Sequence, residues 1–243
     1  MNNSQSKSIA PVTPPRCEAC EGTGYYRYAV EQDHPYWGKI FPCPVCNQET
    51  IDSLCGLKAN ERFITLDSIR TANRPKTKLM VDAALNFIER PRGFLSFHGT
   101  NGNGKTLALM AIVNAMLKQG INARYLTASK LLAYMRDTFK KDSSETDYDR
   151  LDELASLPVL CIDELEKLRD SDYSREIQQE LINERYRGAG VLGTVLVWNG
   201  GLEAVPWASV TSRLSEFPVI ENTDSDMRRE IGAMFRKFIG GAK

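Results

Sequence analysis

Long hydrophobic runs and net charge are both missing from this sequence. No apolar stretch approaches the roughly 18 residues needed to span a bilayer, and the polar start "MNNSQSKSIAPVTPP" has no apolar core of the kind found in signal peptides. We therefore expect a cytoplasmic protein with no membrane partner. Its 31 basic residues are balanced by 31 acidic residues, which argues against a large basic face for nucleic acid and leaves room only for local basic patches.

Disulfide bonds are not expected from the six cysteines, because cytosolic thiols stay reduced. Four of the cysteines form two C-x-x-C pairs, Cys17 with Cys20 and Cys43 with Cys46, with 22 residues between the pairs. Structural zinc is held by four ligands in a tetrahedron, and each C-x-x-C turn supplies two sulfurs. The spacing predicts a closed structural zinc site, and the alternative is four free cysteines in a flexible tail.

Residues 16–56 form the predicted zinc module, preceded by a disordered tail over residues 1–15. Cys55 and His34 lack a paired neighbour and are weaker candidates as zinc ligands. The module has too few apolar residues for a core of its own, so metal binding is expected to supply most of its folding free energy. Its aromatic residues either cover the metal site or form a docking face; they are Tyr25, Tyr26, Tyr28, Tyr36, Trp37 and Phe41.

Downstream of this module the pattern changes to alternating strands and helices. Residues 57–93 are expected to be a linker and the first helix of the core, and residues 94–243 the core itself. Apolar strands without polar alternation, separated by helices, predict an α/β fold with a parallel sheet covered on both faces. The predicted strands cover 93–99, 123–128, 157–164 and 193–200, and the predicted helices 79–90, 104–119, 129–141 and 174–188, with a polar loop over 142–149.

The stretch "GTNGNGKT" has the pattern G-x-x-x-x-G-K-T between a predicted strand and a predicted helix. Such a loop directs backbone N–H groups at phosphate oxygens, with Lys105 reaching the β- and γ-phosphates and Thr106 binding Mg²⁺. The alternative is a glycine-rich turn with an incidental lysine. No N-K-x-D signature for guanine is present, which disfavours GTP. The predicted nucleotide contacts are Gly99, Thr100, Asn101, Gly102, Asn103, Gly104, Lys105, Thr106 and Leu107.

Polar side chains end two of the predicted strands. Asp163 and Glu164 follow one strand, where Asp163 is expected to hold Mg²⁺ through water and Glu164 to act as general base. Acidic residues at a helix start are the alternative. Asn199 ends the strand "GTVLVWN" and is placed to orient the attacking water, although an Asn-Gly turn explains it equally well.

Two arginines are candidates for stabilising phosphate charge. Arg213 lies in "VTSRLSEF", from which it can reach the γ-phosphate of a neighbouring subunit. The alternative is a surface arginine paired with Glu216. Arg228 in "SDMRR" has the same ambiguity and is a candidate for contacting the γ-phosphate within its own chain.

Together these residues resemble an AAA+ ATPase, and the chain from about Arg62 to Arg229 resembles the DnaC/IstB group. The resemblance is carried by "RFITLDSI", "GFLSFHGTNGNGKTLALMAI", "YLTASKLLAYMRDTF", "LINERYR", "SRL" and "SDMR", in that order. Two departures are the Walker B sequence "IDEL", where this group often has two aspartates and a glycine, and a short lid after Arg213. By this resemblance Walker A is Gly99–Thr106, Walker B is Asp163 with Glu164, sensor 1 is Asn199, the arginine finger is Arg213 and sensor 2 is Arg228.

A zinc module ahead of this core resembles DnaI-type helicase loaders. The resemblance implies a partner, the replicative DNA helicase, and ATP-driven assembly of a homo-oligomer whose slow ATP hydrolysis releases the loader. Single-stranded DNA is expected along Lys130, Lys140 and Lys141. The first alternative is an IstB-like transposition helper ATPase that binds duplex DNA and a transposase. The second alternative is a nucleotide-gated adaptor protein whose ATPase activity is nearly absent.

Overall fold

A central parallel β-sheet organises the computed structural model. The structure describes residues 17–32, 34–137, 146–167, 171–204 and 212–228. Within them the strands are β1 (Tyr25–Tyr26), β2 (Phe41–Pro42), β3 (Gly93–Gly99), β4 (Ala123–Thr127), β5 (Val159–Asp163), β6 (Gly193–Val197) and β7 (Val219–Asn222). The helices are α1 (Gln48–Leu54), α2 (Pro75–Glu89), α3 (Lys105–Lys118), α4 (Ala128–Arg136), α5 (Asp147–Ser156) and α6 (Asp172–Arg187).

Five strands form the main sheet in the order β4-β5-β6-β3-β7, and every neighbouring pair is parallel. The predicted α/β fold with a parallel sheet is therefore confirmed. Because all five strands run the same way, the chain segments that follow β3, β5 and β6 meet at one edge of the sheet. That edge holds the predicted phosphate loop, the paired carboxylates and Asn199.

Successive residues of the central strands point to opposite faces of the sheet, as the two-residue repeat of a strand requires. Phe97 on one face packs with Met80 of α2 and Ile112 of α3. On the other face Trp198 packs with residues of α4, α5 and α6. Both faces are thus covered by helices, which explains why the strands are apolar throughout.

Two elements of the core differ from the sequence-based expectation. Helix α5 begins at Asp147, inside the predicted polar loop, because Thr146 caps it: the Thr146 hydroxyl accepts from the Asp149 N–H at 3.2 Å, and the Asp149 carboxylate accepts from the Thr146 N–H at 2.8 Å. Strand β7 was not predicted. It has four residues, only one of them buried, so its sequence lacks the apolar run of a central strand.

The segment before α2 packs against the core. Leu57, Leu66 and Ile69 are buried in the same cluster as α3. The side-chain amide of Asn114 in α3 donates to the Glu61 and Ile64 carbonyls, both at 2.9 Å. These contacts satisfy two backbone carbonyls of the segment and hold it against the second half of α3.

The cysteine-rich segment covers one edge of the main sheet. The N–H of Tyr125 in the edge strand β4 donates to the Cys55 carbonyl at 2.8 Å, and Lys39 forms an ion pair with Asp152 of α5. Gly56 has φ +79°, and a Cβ there would lie 1.9 Å from the Tyr125 carbonyl oxygen. Only glycine fits this approach, which protects a strand edge that would otherwise be open to pairing. None of the helices within the described ranges has the length and hydropathy to cross a membrane.

Candidate nucleotide and metal sites

The predicted phosphate loop lies between β3 and α3. Gly99, Gly102 and Gly104 have φ values of +119°, +77° and +94°, a region that favours glycine. A Cβ at Gly99 would lie 2.1 Å from the carbonyl oxygen of Asn222. The loop therefore needs its glycines both for backbone conformation and for close packing, and its N–H groups lie at the start of α3, where anions bind.

Lys105 is buried at the first position of α3. Its ammonium group donates to the carbonyls of Gly99 at 3.2 Å and Thr100 at 2.5 Å, and to the Asn103 side-chain oxygen at 3.3 Å. Burial lowers the pKa of Lys105 to about 8, although Asp163 and Glu166 act in the opposite direction. The lysine ammonium is thus held inside the loop by three oxygen atoms of the loop itself.

Asp163 and Thr106 lie together at the end of β5 and the start of α3. Burial raises the pKa of the Asp163 carboxyl, and hydrogen bonds from the Thr106 hydroxyl, the Glu164 N–H and the Tyr125 hydroxyl act against it. The Glu164 N–H donates at 2.8 Å and the Tyr125 hydroxyl at 3.1 Å. A carboxylate beside a threonine hydroxyl is a donor set that suits Mg²⁺, which prefers oxygen ligands.

Glu164 has a left-handed backbone conformation, with φ +59°. This conformation is uncommon for a residue with a side chain and recurs at functional sites. Its carboxylate forms an ion pair with Lys167 and lines the same cleft as Lys105 and Asp163. The turn at Glu164 thus sends the two consecutive carboxylates in different directions, one toward Thr106 and one toward Lys167.

Asn199 contacts a carboxylate that the sequence analysis missed. Glu166, on the short 3-10 turn after β5, accepts the Asn199 backbone N–H at 3.0 Å and its side-chain amide at 2.5 Å. The signal was present as a third acidic residue in "IDELE". An acidic residue on a turn has many solvent-exposed uses, and its partner is 33 positions away, so spacing alone does not reveal the pair.

A cleft of about 850 Å³ joins these groups. Its volume lies within the range of small-molecule sites. Arg228 lines it, and the Arg228 N–H donates to the Asp226 carboxylate at 2.9 Å. The structure brings the following predicted residues to this cleft: Asn101, Gly102, Asn103, Gly104, Lys105, Thr106, Leu107, Asp163, Glu164, Asn199 and Arg228. Gly99 and Thr100 line an adjoining cleft.

Arg213 does not line the described part of its own chain's cleft. Its guanidinium lies over the Tyr186 ring, 5.5 Å from the ring centre, and donates to the Asn183 side chain. Glu216, the alternative partner, accepts instead from the Tyr186 hydroxyl at 2.7 Å. Among the proposed DNA contacts, Lys130 is exposed on α4. Lys140, Lys141 and Arg229 lie outside the described residues.

The four predicted zinc ligands lie together, with all four sulfurs within 4.8 Å of one another. The Cys17 and Cys43 sulfurs are 3.9 Å apart, and those of Cys20 and Cys46 are 3.4 Å apart. Zinc–sulfur bonds of about 2.3 Å in a tetrahedron place sulfurs roughly 3.8 Å apart, so the arrangement fits a zinc ion. The Gly24 N–H donates to the Cys20 sulfur at 3.3 Å and orients it.

Cys55 and His34 lie outside this sulfur group. The Cys55 thiol donates to the Asp52 carbonyl at 3.3 Å, and the Nδ1 of His34 accepts the Tyr36 N–H at 3.1 Å. The aromatic residues of the segment divide into two sets. One set packs ring on ring, with centroid distances of 4.8 to 6.1 Å, and consists of Tyr26, Tyr28, Tyr36 and Phe41. The other set is exposed and consists of Tyr25 and Trp37.

Comparison with known proteins gives a family match and a fold match. The family model described as "IstB-like ATP binding protein" matches residues 47–205. The replicative helicase loader DnaC of Escherichia coli strain K12 is 29% identical over 89 residues, which span 37% of this chain and 36% of that protein. The match thus covers about a third of that relative's length.

Two solved structures share the fold at low identity. The crystal structure of the DnaC helicase loader matches with a TM-score of 0.59 and 20% identity, covering 68% of this chain and all of that one. The crystal structure of DnaI matches with a TM-score of 0.56 and 20% identity, covering 72% and 98%. The predicted AAA+ fold of the DnaC type is confirmed, and the chain belongs to the family of IstB-like ATP binding proteins.

Proposed function

We propose that this protein is an ATP-dependent loader of the replicative DNA helicase. The observation that carries the proposal is the nucleotide cleft of Lys105, Asp163 and Glu164 in a chain that matches DnaC in sequence and fold. ATP binding drives assembly with the helicase and with single-stranded DNA, for which Lys130 is a candidate contact. Hydrolysis of ATP then drives release of the loader.

The hydrolysis roles follow from the positions of the side chains. Lys105 and the loop N–H groups bind the phosphates, and Thr106 and Asp163 hold Mg²⁺, which neutralises phosphate charge when bound. Glu164 takes a proton from the attacking water as its oxygen bonds to the γ-phosphorus. The bond from that phosphorus to the bridging oxygen of ADP breaks. Asn199 orients the water.

The two arginines act on different sites. Arg228 lines the cleft of its own chain and is proposed to contact the γ-phosphate there. Arg213 packs against Tyr186 of α6 and is proposed to complete the site of the next subunit. A homo-oligomer formed on ATP binding then hydrolyses faster than single subunits, because each site gains a cation for the transition state.

The zinc module, residues 16–56, is proposed to dock on the helicase, and residues 94–243 to form the ATPase core after a linker and helix over 57–93. Trp37, Ile40 and Val45 are exposed on the module by 51%, 57% and 69%. Three large apolar side chains exposed on one small module support a role in binding a partner protein. The contacts of Cys55 and Lys39 with the core would transmit that docking to the ATPase.

The second candidate is a transposition helper ATPase, favoured by the IstB-like family match over residues 47–205. The two functions share the same nucleotide chemistry and differ in partner. A helper of this kind binds duplex DNA and a transposase, whereas a loader binds the helicase and prefers single strands. Partner identity therefore separates the two proposals.

The deciding experiment is capture of partners by the tagged protein from its host lysate, with ATP and with ADP. The loader proposal expects the hexameric replicative helicase in the ATP sample, lost in a Cys17→Ser/Cys20→Ser variant. Cys55→Ala is the matched control, because Cys55 lies in the same segment but outside the sulfur group. Purified helicase should reproduce the capture. Recovery of a transposase, or a preference for duplex DNA, would reverse the assignment.

A further inference from the structure

Both oxygens of the Glu166 carboxylate are engaged by one residue. The Asn199 N–H donates to one oxygen at 3.0 Å, and the Asn199 side chain contacts the other at 2.5 Å. An ionised carboxylate has no hydrogen to donate, so the side-chain atom that faces it is the amide nitrogen, Nδ2. The amide oxygen, Oδ1, is the atom left for other partners.

This contact fixes the Asn199 side chain in two respects. The backbone hydrogen bond places the end of β6 against the turn that carries Glu166, and the side-chain bond sets the rotation of the amide. Glu166 and Asn199 both line the nucleotide cleft, together with Glu164. The neighbouring carboxylates have other partners: Asp163 is hydrogen-bonded to Tyr125, and Glu164 is paired with Lys167.

We propose that Glu166 is a positioning residue for ATP hydrolysis, holding Asn199 so that its Oδ1 accepts a hydrogen from the attacking water. This inference rests on the proposed ATPase function. The water then has two acceptors: Glu164 takes its proton as the oxygen bonds to the γ-phosphorus, and Asn199 orients its second hydrogen. Without Glu166 the amide can rotate and present Nδ2, which cannot accept a hydrogen.

The first test is steady-state ATP hydrolysis by Glu166→Ala. We expect kcat to fall about 10- to 100-fold, the range found when a group that orients a site ligand is removed. The KM for ATP should stay within about twofold, because none of the contacts that hold Lys105 in the phosphate loop involves Glu166. Glu203→Ala, an exposed glutamate on the short turn after Asn199, is the matched control and should hydrolyse ATP normally.

A second variant separates positioning from a general structural effect. Glu166→Gln keeps one oxygen that accepts one of the two Asn199 N–H groups, so it should recover part of the lost kcat. Thermal unfolding of each variant checks that it is folded at the assay temperature. If Glu166→Ala unfolds there, the comparison is made between wild type and Glu166→Gln, for which a several-fold lower kcat is expected.

The decisive result comes from combining Glu166→Ala with Asn199→Ala. If Glu166 acts through Asn199, the double variant is no slower than Asn199→Ala alone. Two results would overturn the inference while leaving the ATPase proposal intact. One is a Glu166→Ala change that lowers kcat by the same factor in the wild-type protein and in the Asn199→Ala variant. The other is a Glu166→Ala protein that hydrolyses ATP as fast as wild type. A wild-type protein that hydrolyses no ATP with helicase and DNA present would instead defeat the proposed function itself.

Discussion

The Asn103 side chain in the phosphate loop and Asn222 at the end of β7 hold each other in the protein interior. The Asn103 amide donates to the Asn222 carbonyl at 2.5 Å, and the Asn222 amide donates back to the Asn103 carbonyl at 3.3 Å. Asn222 is fully buried and also bonds Thr77 of α2 at 3.2 Å. The edge strand β7 thus supports the loop that is proposed to bind ATP.

Replacing Asn222 with alanine should therefore weaken both folding and ATP binding. The Asn103 carbonyl and the Thr77 hydroxyl would lose a buried partner, at a cost of about 1–3 kcal/mol in the free energy of unfolding. Chemical denaturation and fluorescence titration with an ATP analogue measure the two effects. Asn86→Ala, at an exposed position of α2, is the control. Unchanged ATP affinity in a destabilised Asn222→Ala protein would show that β7 does not shape the loop.

Binding of ATP should take up protons at alkaline pH. The pKa of Lys105 is lowered to about 8 by burial, so the lysine is partly neutral above that pH. Phosphate charge favours the ammonium form and raises this pKa, and the uptake per bound ATP should therefore increase between pH 7.5 and pH 8.5. Calorimetry in two buffers of different ionisation enthalpy, without Mg²⁺, measures the uptake. A heat of binding independent of buffer at pH 8.5 would contradict this assignment.

Arg213→Ala should separate ATP binding from stimulated hydrolysis. The side chain contacts Asn183 of α6 and does not line the described part of its own chain's cleft, so the affinity of one chain for ATP should be unchanged. Hydrolysis stimulated by assembly should fall by about 10³-fold or to the unstimulated rate, as expected for removal of an arginine that acts between subunits. The assay compares ATPase rates across protein concentration. Arg187→Ala, an exposed arginine at the end of α6, is the control, and full stimulation in Arg213→Ala would exclude the finger role.

The purified protein should contain one zinc ion per chain. Cys17→Ser or Cys46→Ser should lose it, because each removes one of four thiolates, whereas Cys55→Ala should keep it. Metal content is measured by elemental analysis and by release to a chromogenic chelator. Chelation should also unfold the segment around β1 and β2, seen as increased proteolysis before Gly56. Zinc retained in Cys17→Ser, or lost in Cys55→Ala, would change the ligand assignment.

The sequence by itself determined those sites whose side chains lie close together along the chain. The spacing of G-x-x-x-x-G-K-T and of the two C-x-x-C pairs predicted the two local sites, because a turn of a few residues specifies which donors converge. The apolar strands predicted the parallel sheet and placed Asp163, Glu164 and Asn199 at one edge. These predictions needed no knowledge of which strand lies beside which.

The tertiary structure decided the relationships between residues that are far apart in the chain. Glu166 meets Asn199 because β5 and β6 are adjacent, and Asn222 meets Asn103 because β7 pairs with β3. Arg213 is kept from its own cleft by packing on Tyr186. The order of the strands depends on how the helices cover both faces of the sheet. A short, half-exposed strand such as β7 has too few apolar residues for the sequence to predict which strand it pairs with.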